Sequence, residues 1–256
     1  MKILVTLAVD AEFAPWRRLR SFHRIAVPPG GHKAAYEAQI ENSVVRVLLT
    51  GIGGENARRA MHAALDQDMP DVCISSGLAG GLEPAYRPGE ILAARAVGEV
   101  KGGRVMNSDS ALLRVATEHG ARSAELFLTS TRLVRESQEK RGMGQFGDAV
   151  EMESFPVLAA SCGQGIPSIA IRAIGDAAGD DLPLDFSQAL TPEGEVSIPK
   201  VLAQLARDPR ALPKAARFAQ QCRRAAQSLV RFLDVYVGSL PAEINAYALE
   251  SRVAAP

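Results

Sequence analysis

The chain has 256 residues, of which 29 are basic and 29 acidic, so its formal net charge is zero, and 47% of its residues are hydrophobic. That length can bury a sizeable core, and the charge balance argues against a general nucleic-acid binder, which needs a basic excess. Three scattered cysteines, Cys73, Cys162 and Cys222, give no CxxC or His-plus-Cys spacing for a metal and suit a reducing cytoplasm. No apolar run approaches the length needed to span a membrane.

In chain order, the apolar run over residues 3–9 reads as a strand buried on both faces. Asp10 and Glu12 interrupt it too early for a secretory signal. Residues 13–20 look helical, with Pro15 in a permissible first turn. Pro28-Pro29-Gly30-Gly31 marks a turn, and residues 34–41 a small edge strand. Val44 to Leu49 is a second central strand, ending at Thr50-Gly51-Ile52-Gly53-Gly54. Ala57, Ala60, Met61, Ala64 and Leu65 then fall on one helical face. Asp71 to Ser75 is a third strand, running into a loop over 75–81, and Glu90 to Val97 a fourth. Ser108-Asp109-Ser110 caps a helix that stops at Gly120. A strand over 125–130 and a helix over 133–141 follow. Next come the strand entering Glu151-Met152-Glu153, a helix over 154–164, and a strand from Pro167 to Ile174 that ends in Gly175-Asp176. Residues 199–236 read as two helices broken at Asp208-Pro209, and the stretch after Pro241 gives no clear signal. Repeated alternation of strand and helix predicts an α/β fold, three-layer α/β/α, with a mostly parallel mixed central sheet. Ligands in such sheets bind beyond the carboxyl ends of the strands.

Four acidic residues stand nearest those ends: Glu12, Glu151, Glu153 and Asp176. A carboxylate held in a water-poor place needs a reason to be there. Paired carboxylates with divergent pKa values suit cleavage of a glycosidic bond, and a third can stabilise a cationic sugar. Gly51-Ile52-Gly53 lacks the third glycine of a dinucleotide fingerprint and reads first as a tight turn. Ser76-Gly77-Leu78-Ala79-Gly80-Gly81 would let backbone approach a flat ligand or a crossing strand. His23, His32, His62 and His119 do not cluster.

At these residues the chain resembles the nucleoside phosphorylase and nucleosidase superfamily, including methylthioadenosine/adenosylhomocysteine nucleosidases. Glu12 stands where the nucleosidases carry the glutamate that activates water. Thr50-Gly51-Ile52-Gly53 matches a Ser/Thr-Gly-Ile-Gly turn, and Ser76 to Gly81 a Thr-Gly-Ser-Ala-Gly-Gly loop on base and ribose. Val150-Glu151-Met152-Glu153 matches the Val-Glu-Met-Glu segment, whose Met packs on the sugar and whose second Glu binds ribose hydroxyls. Arg172-Ala173-Ile174-Gly175-Asp176 matches Arg-Ala-Ile-Ser-Asp, whose Asp protonates the purine. Gly80-Gly81-Leu82-Glu83-Pro84, Arg87-Pro88-Gly89 and Asp208 to Pro213 look most like the hopanoid-associated phosphorylase-like branch, linked to removing adenine from adenosylhopane.

The resemblance implies catalytic roles for Glu12 and Asp176. It implies substrate contacts from Gly51, Gly53, Ser76, Gly77, Leu78, Ala79, Gly80, Met152, Glu153 and Arg172. It implies one domain over 1–256 with a helical extension at about 195–240, a small-molecule nucleoside substrate, no metal or organic cofactor, and a homo-oligomer. Ser75 lies where many phosphorylases carry a phosphate-binding Arg, which favours water as nucleophile. Arg17 or Arg18 could still serve phosphate as co-substrate, and a nucleoside-binding protein without turnover is the third reading.

Overall fold

The computed structural model describes residues 1–27, 34–100 and 103–253. The expected turn at 28–31 lies outside them. The elements run β1 (Lys2–Leu7), α1 (Asp10–Leu19), β2 (His23–Ile25), β3 (Ala34–Ile40), β4 (Ser43–Leu49), α2 (Gly54–Gln67), β5 (Val72–Gly81), β6 (Ile91–Glu99) and β7 (Val105–Asn107). They continue with α3 (Ser110–Glu118), β8 (Arg122–Thr129), α4 (Ser137–Met143), β9 (Ala149–Glu151), α5 (Ser154–Gly163), β10 (Ser168–Asp176), α6 (Phe186–Ala189) and α7 (Ile198–Arg207). A 3-10 turn over Pro209–Ala211 leads into α8 (Leu212–Val253).

The fold is α/β and its sheet is mixed. β4, β1, β5 and β10 run parallel in that order, and β6–β8 and β8–β9 are also parallel. The pairings β10–β6, β5–β9, β3–β4, β2–β3 and β6–β7 are antiparallel. Because β5 pairs with both β9 and β10, strands β5, β10, β6, β8 and β9 close on themselves. Alternation along each strand sends side chains to opposite faces. Ile3, Val5 and Leu7 pack with Phe13 and Trp16 of α1, Leu112 and Val115 of α3, and Leu229, Leu233 and Tyr236 of α8. Leu4, Cys73 and Ala170 pack with α2 and α5 on the other face. All five apolar residues spaced along α2 are buried.

Several expectations change. The glycine-rich stretch after Ser75 is strand, not loop. β5 continues to Gly81, flanked by β10 and then β9. Pro15 is not in a first turn, because α1 begins at Asp10 and carries Pro15 inside it. β3 is not an edge strand, because β2 pairs outside it. The helix expected over 133–141 begins only at Ser137. Pro241 lies within α8, which runs on to Val253, so the tail after it is helical. Nor is all of 195–240 peripheral. No residue of α7 is buried, whereas α8 supplies Ala225, Leu229, Val230 and Leu233 to the core. Asp234 of α8 accepts hydrogen bonds from Trp16 Nε1 and Arg20 Nε, both at 2.9 Å. These bonds fix α1, and with it Glu12, against the sheet.

Candidate active site

Beyond the ends of β1, β5, β9 and β10 lies a cavity of about 810 Å³. Glu12, Leu78, Ala79, Gly80, Met152, Glu153 and Asp176 line it. Strand-end carboxylates more than 140 residues apart in the chain thus share one space, as their positions in the sequence suggested.

Glu12 sits in the first turn of α1, directly after β1. Its Oε2 accepts the N–H groups of Ala8 (2.9 Å) and Val9 (3.3 Å), and its Oε1 accepts that of Leu78 (2.9 Å). A carboxylate has about four acceptor sites, so one site remains for a ligand or water. Burial raises its pKa, against the lowering effect of these N–H groups and Arg172. The resulting group is buried, well oriented and more basic than an ordinary glutamate.

Glu153 Oε1 accepts the N–H of Gly53 at 2.8 Å, which is what the tight turn after β4 contributes. Its Oε2 lies 3.6 Å from Arg172 Nη2. Burial lifts its pKa to about 7, with Glu151 and Glu12 adding to the rise while Arg172 and Gly53 oppose it. The charge balance explains the direction: one buried guanidinium faces three carboxylates, Glu12, Glu151 and Glu153.

Arg172 does not line the cavity. Its Nη2 donates to Glu151 Oε2 (2.6 Å), Ser154 Oγ (3.0 Å) and Ser75 Oγ (3.3 Å), and the side chain is buried. Glu151 in turn accepts the N–H groups of Glu153 (2.8 Å) and Ser154 (2.7 Å) at the start of α5, and the Thr129 hydroxyl. The Arg172–Glu151 pair therefore holds the backbone that carries Glu153. Gly77 is explained by the same cluster. It has φ +142°, and a Cβ there would lie 2.5 Å from Arg172 Nη1 and 2.9 Å from Glu12 Oε1. The close approach that Gly77 permits is thus by protein side chains. Ser76 Oγ donates to the Ile171 carbonyl at 3.1 Å, and Gly51 N–H to the Ala8 carbonyl at 2.9 Å. Ser76, Gly77, Gly51 and Gly53 are not among the lining residues.

Asp176 ends β10 beside Gly80, where a Cβ would meet its Oδ2 at 3.3 Å. Its partner is Lys140 of α4, which sequence reasoning missed. The Lys140 ammonium is fully buried and pairs with Asp176 Oδ2 while donating to the carbonyls of Asp180 (2.7 Å) and Ala177 (3.2 Å). Burial raises the pKa of Asp176, and Lys140 opposes the rise. Also missed were the apolar walls, among them Leu182, Leu184, Phe186, Val201, Leu205 and Phe218. The Phe186 and Phe218 rings lie 5.6 Å apart. Cys222 lines the cavity too, but burial pushes its thiol up to about 12, so it is protonated and no nucleophile at neutral pH. Among the described residues no group of three or more His, Cys, Asp or Glu could hold a metal ion.

Two stability predictions arise here. The Glu153 carboxyl binds its proton more tightly folded, at about 7, than unfolded, at 4.5. Its contribution is therefore full below the unfolded value and lost as pH rises through the folded one. Against Glu153→Gln, the ligand-free protein should lose up to about 3 kcal/mol of unfolding free energy across that window. Parallel denaturation curves for the two proteins across this range would refute the assignment. Lys140→Met should destabilise by about 3–5 kcal/mol at pH 8, because it strands a buried carboxylate. The loss should shrink in acid as Asp176 takes a proton, and a pH-independent loss in chemical denaturation would count against the pair.

The model of the phosphorylase superfamily matches residues 2–207. The 5'-methylthioadenosine/S-adenosylhomocysteine nucleosidase of Geobacillus kaustophilus is 29% identical over 183 residues, spanning 62% of this chain and 78% of that protein. The enzyme of the same name from Geobacillus thermodenitrificans is 30% identical over the same shares. In fold, the chain matches the Campylobacter jejuni nucleosidase of that name with a TM-score of 0.71 at 17% identity, over 93% of this chain and 99% of that one. It matches futalosine hydrolase of Helicobacter pylori with a TM-score of 0.70 at 18% identity, over 93% and 97%.

Proposed function

The chain belongs to the phosphorylase superfamily, and from that premise we propose that it is an enzyme that uses water to cleave the N-glycosidic bond of a 5′-substituted purine nucleoside. The observation that carries this reading is the convergence of Glu12, Glu153 and Asp176 on one cavity. The C1′–N9 bond breaks and its electron pair leaves with the purine, which takes a proton at a ring nitrogen from Asp176. The Asp176 carboxyl, paired with Lys140 in the ligand-free protein, takes that proton from solvent as the nucleoside binds and returns to the Lys140 pair once it has given it up. The water oxygen bonds to C1′, and its proton passes to Glu12. Glu153 binds the ribose hydroxyls, and Met152 packs on the sugar. The surplus of buried negative charge stabilises the cationic sugar in the transition state.

The same surplus supports water over phosphate. Arg172 is engaged by Glu151, and Lys140 by Asp176. A dianion beside Glu12 and Glu153 would lack a buried counter-charge. The phosphate-dependent reading retains as support the arginines that line the cavity, Arg18, Arg223 and Arg132, the last of them paired with Glu139.

The apolar walls favour a large apolar 5′ group, in keeping with the hopanoid-associated branch and an adenosylhopane-type substrate. We read the two core clusters as the interfaces of a three-layer sandwich, and residues 1–256 as one domain, working as a cytoplasmic homo-oligomer. Among the described residues no helix is long and apolar enough to cross a membrane. The test is release of free base from adenosine, methylthioadenosine, inosine and a long-chain 5′-alkyl adenosine, with and without phosphate. Phosphate-independent release, best with the alkyl adenosine, is expected; strict dependence on phosphate would overturn the hydrolytic reading.

A further inference from the structure

The cavity is polar at one end and apolar at the other, and its apolar end reaches the surface. Val196 and Leu212 line it and yet are 38% and 56% exposed. Beside them Ile198 and Leu202 are 63% and 58% exposed. Ile198, Val201, Leu202 and Leu205 follow helical spacing, so α7 carries one apolar stripe. Val201 and Leu205 line the cavity, while Ile198 and Leu202 continue the stripe onto the surface.

Charge around this stripe is one-sided. Residues 200–224 hold seven basic side chains (Lys200, Arg207, Arg210, Lys214, Arg217, Arg223 and Arg224) against one acidic one, Asp208. All seven are exposed, and none forms an ion pair with a described carboxylate; Lys200 bonds the Leu190 carbonyl, and Arg223 also lines the cavity. Including Glu193 and Glu195, just before α7, the balance is still seven to three, in a chain whose net charge is zero.

We propose that this rim, α7 with Val196 and the first turn of α8, docks on a bilayer surface bearing anionic headgroups. Ile198, Leu202 and Leu212 enter the headgroup boundary, the basic side chains face the anionic lipid, and the cavity opens where an amphiphilic nucleoside can leave the bilayer tail first. An apolar stripe beside a lysine- and arginine-rich face is the composition of interfacial helices, and anionic headgroups draw in such basic segments. A two-fold pairing of this rim with a second copy would set seven basic residues against seven, which disfavours that occupant. The docking deepens the proposed function and rests on its reading of the cavity as the site of an apolar-tailed nucleoside.

The test is sedimentation of the full chain, without substrate, with vesicles of phosphatidylcholine containing one-quarter phosphatidylglycerol, and with vesicles of phosphatidylcholine alone. Binding to the anionic vesicles is expected, weakening at high salt. It should fall at least tenfold in an Ile198→Asp/Leu202→Asp variant whose turnover of methylthioadenosine in solution is unchanged. Lys214→Glu/Arg217→Glu should remove the salt-sensitive part. No binding, equal binding to the neutral vesicles, or binding untouched by the apolar variant would overturn the proposal, as would concentration-dependent self-association abolished by that variant. Because the partition is read without substrate, it can fail while base release succeeds, and the reverse.

Discussion

Asp176→Asn is expected to slow base release by about a thousandfold, within the roughly 10²–10⁴ that a positioned proton donor supplies. The amide keeps the size of the side chain but cannot deliver the proton that lets the purine leave as a neutral base. It also removes the counter-charge of the buried Lys140 ammonium, so the single variant should lose stability as well as activity. Asp176→Asn/Lys140→Met separates the two effects. Both charges are then gone, and the double variant should regain most of the lost stability while remaining as slow as the single one. If removing the ammonium restored turnover, Asp176 would be a structural partner of Lys140 and not the proton donor.

Glu12→Gln is expected to slow turnover by a similar factor, about 10²–10⁴, with nucleoside affinity changed only a few-fold. The reason lies in its hydrogen bonds. Both carboxylate oxygens accept backbone N–H groups, from Ala8 and Val9 on one side and Leu78 on the other. A glutamine can accept on one side only, and its amide N–H then opposes a donor. That mismatch should lower stability by about 1–3 kcal/mol and remove the site that receives the proton of water. Single-turnover assays with substrate in excess of its dissociation constant read the chemical step apart from binding. An unchanged single-turnover rate in Glu12→Gln would move the base elsewhere.

What the sequence made legible follows from short-range rules. The spacing of Ala57, Ala60, Met61, Ala64 and Leu65 marks a buried helix face, and all five are buried. Asp109 caps α3 by accepting the N–H groups of Ala111 and Leu112. Glu12 and Asp176 follow or end β1 and β10, which run parallel on either side of β5 and so bring their ends together, whereas Glu153 follows β9, which reaches the same place by antiparallel pairing with β5. Long-range pairing was out of reach. Lys140 sits in a short polar helix and looks like a surface residue. Only the fold shows it buried against Asp176, 36 positions later. Arg172 carries a motif that suggests a ligand contact, but its β10 neighbours Ile171 and Ala173 belong to the core, and its guanidinium is taken up by Glu151. The glycines after Ser75 suggested a loop because glycine breaks most strands. Here Gly77 is required where Arg172 and Glu12 crowd β5, and pairing on both sides keeps the segment extended.

The central claim is that water, held by Glu12, takes the place of the purine at C1′. The measurement that bears on it most directly is the mass of the sugar released in water enriched with heavy oxygen, with phosphate present in excess. The reading predicts a free sugar carrying one heavy oxygen, formed at a rate that phosphate does not change. A sugar 1-phosphate as the product would contradict it.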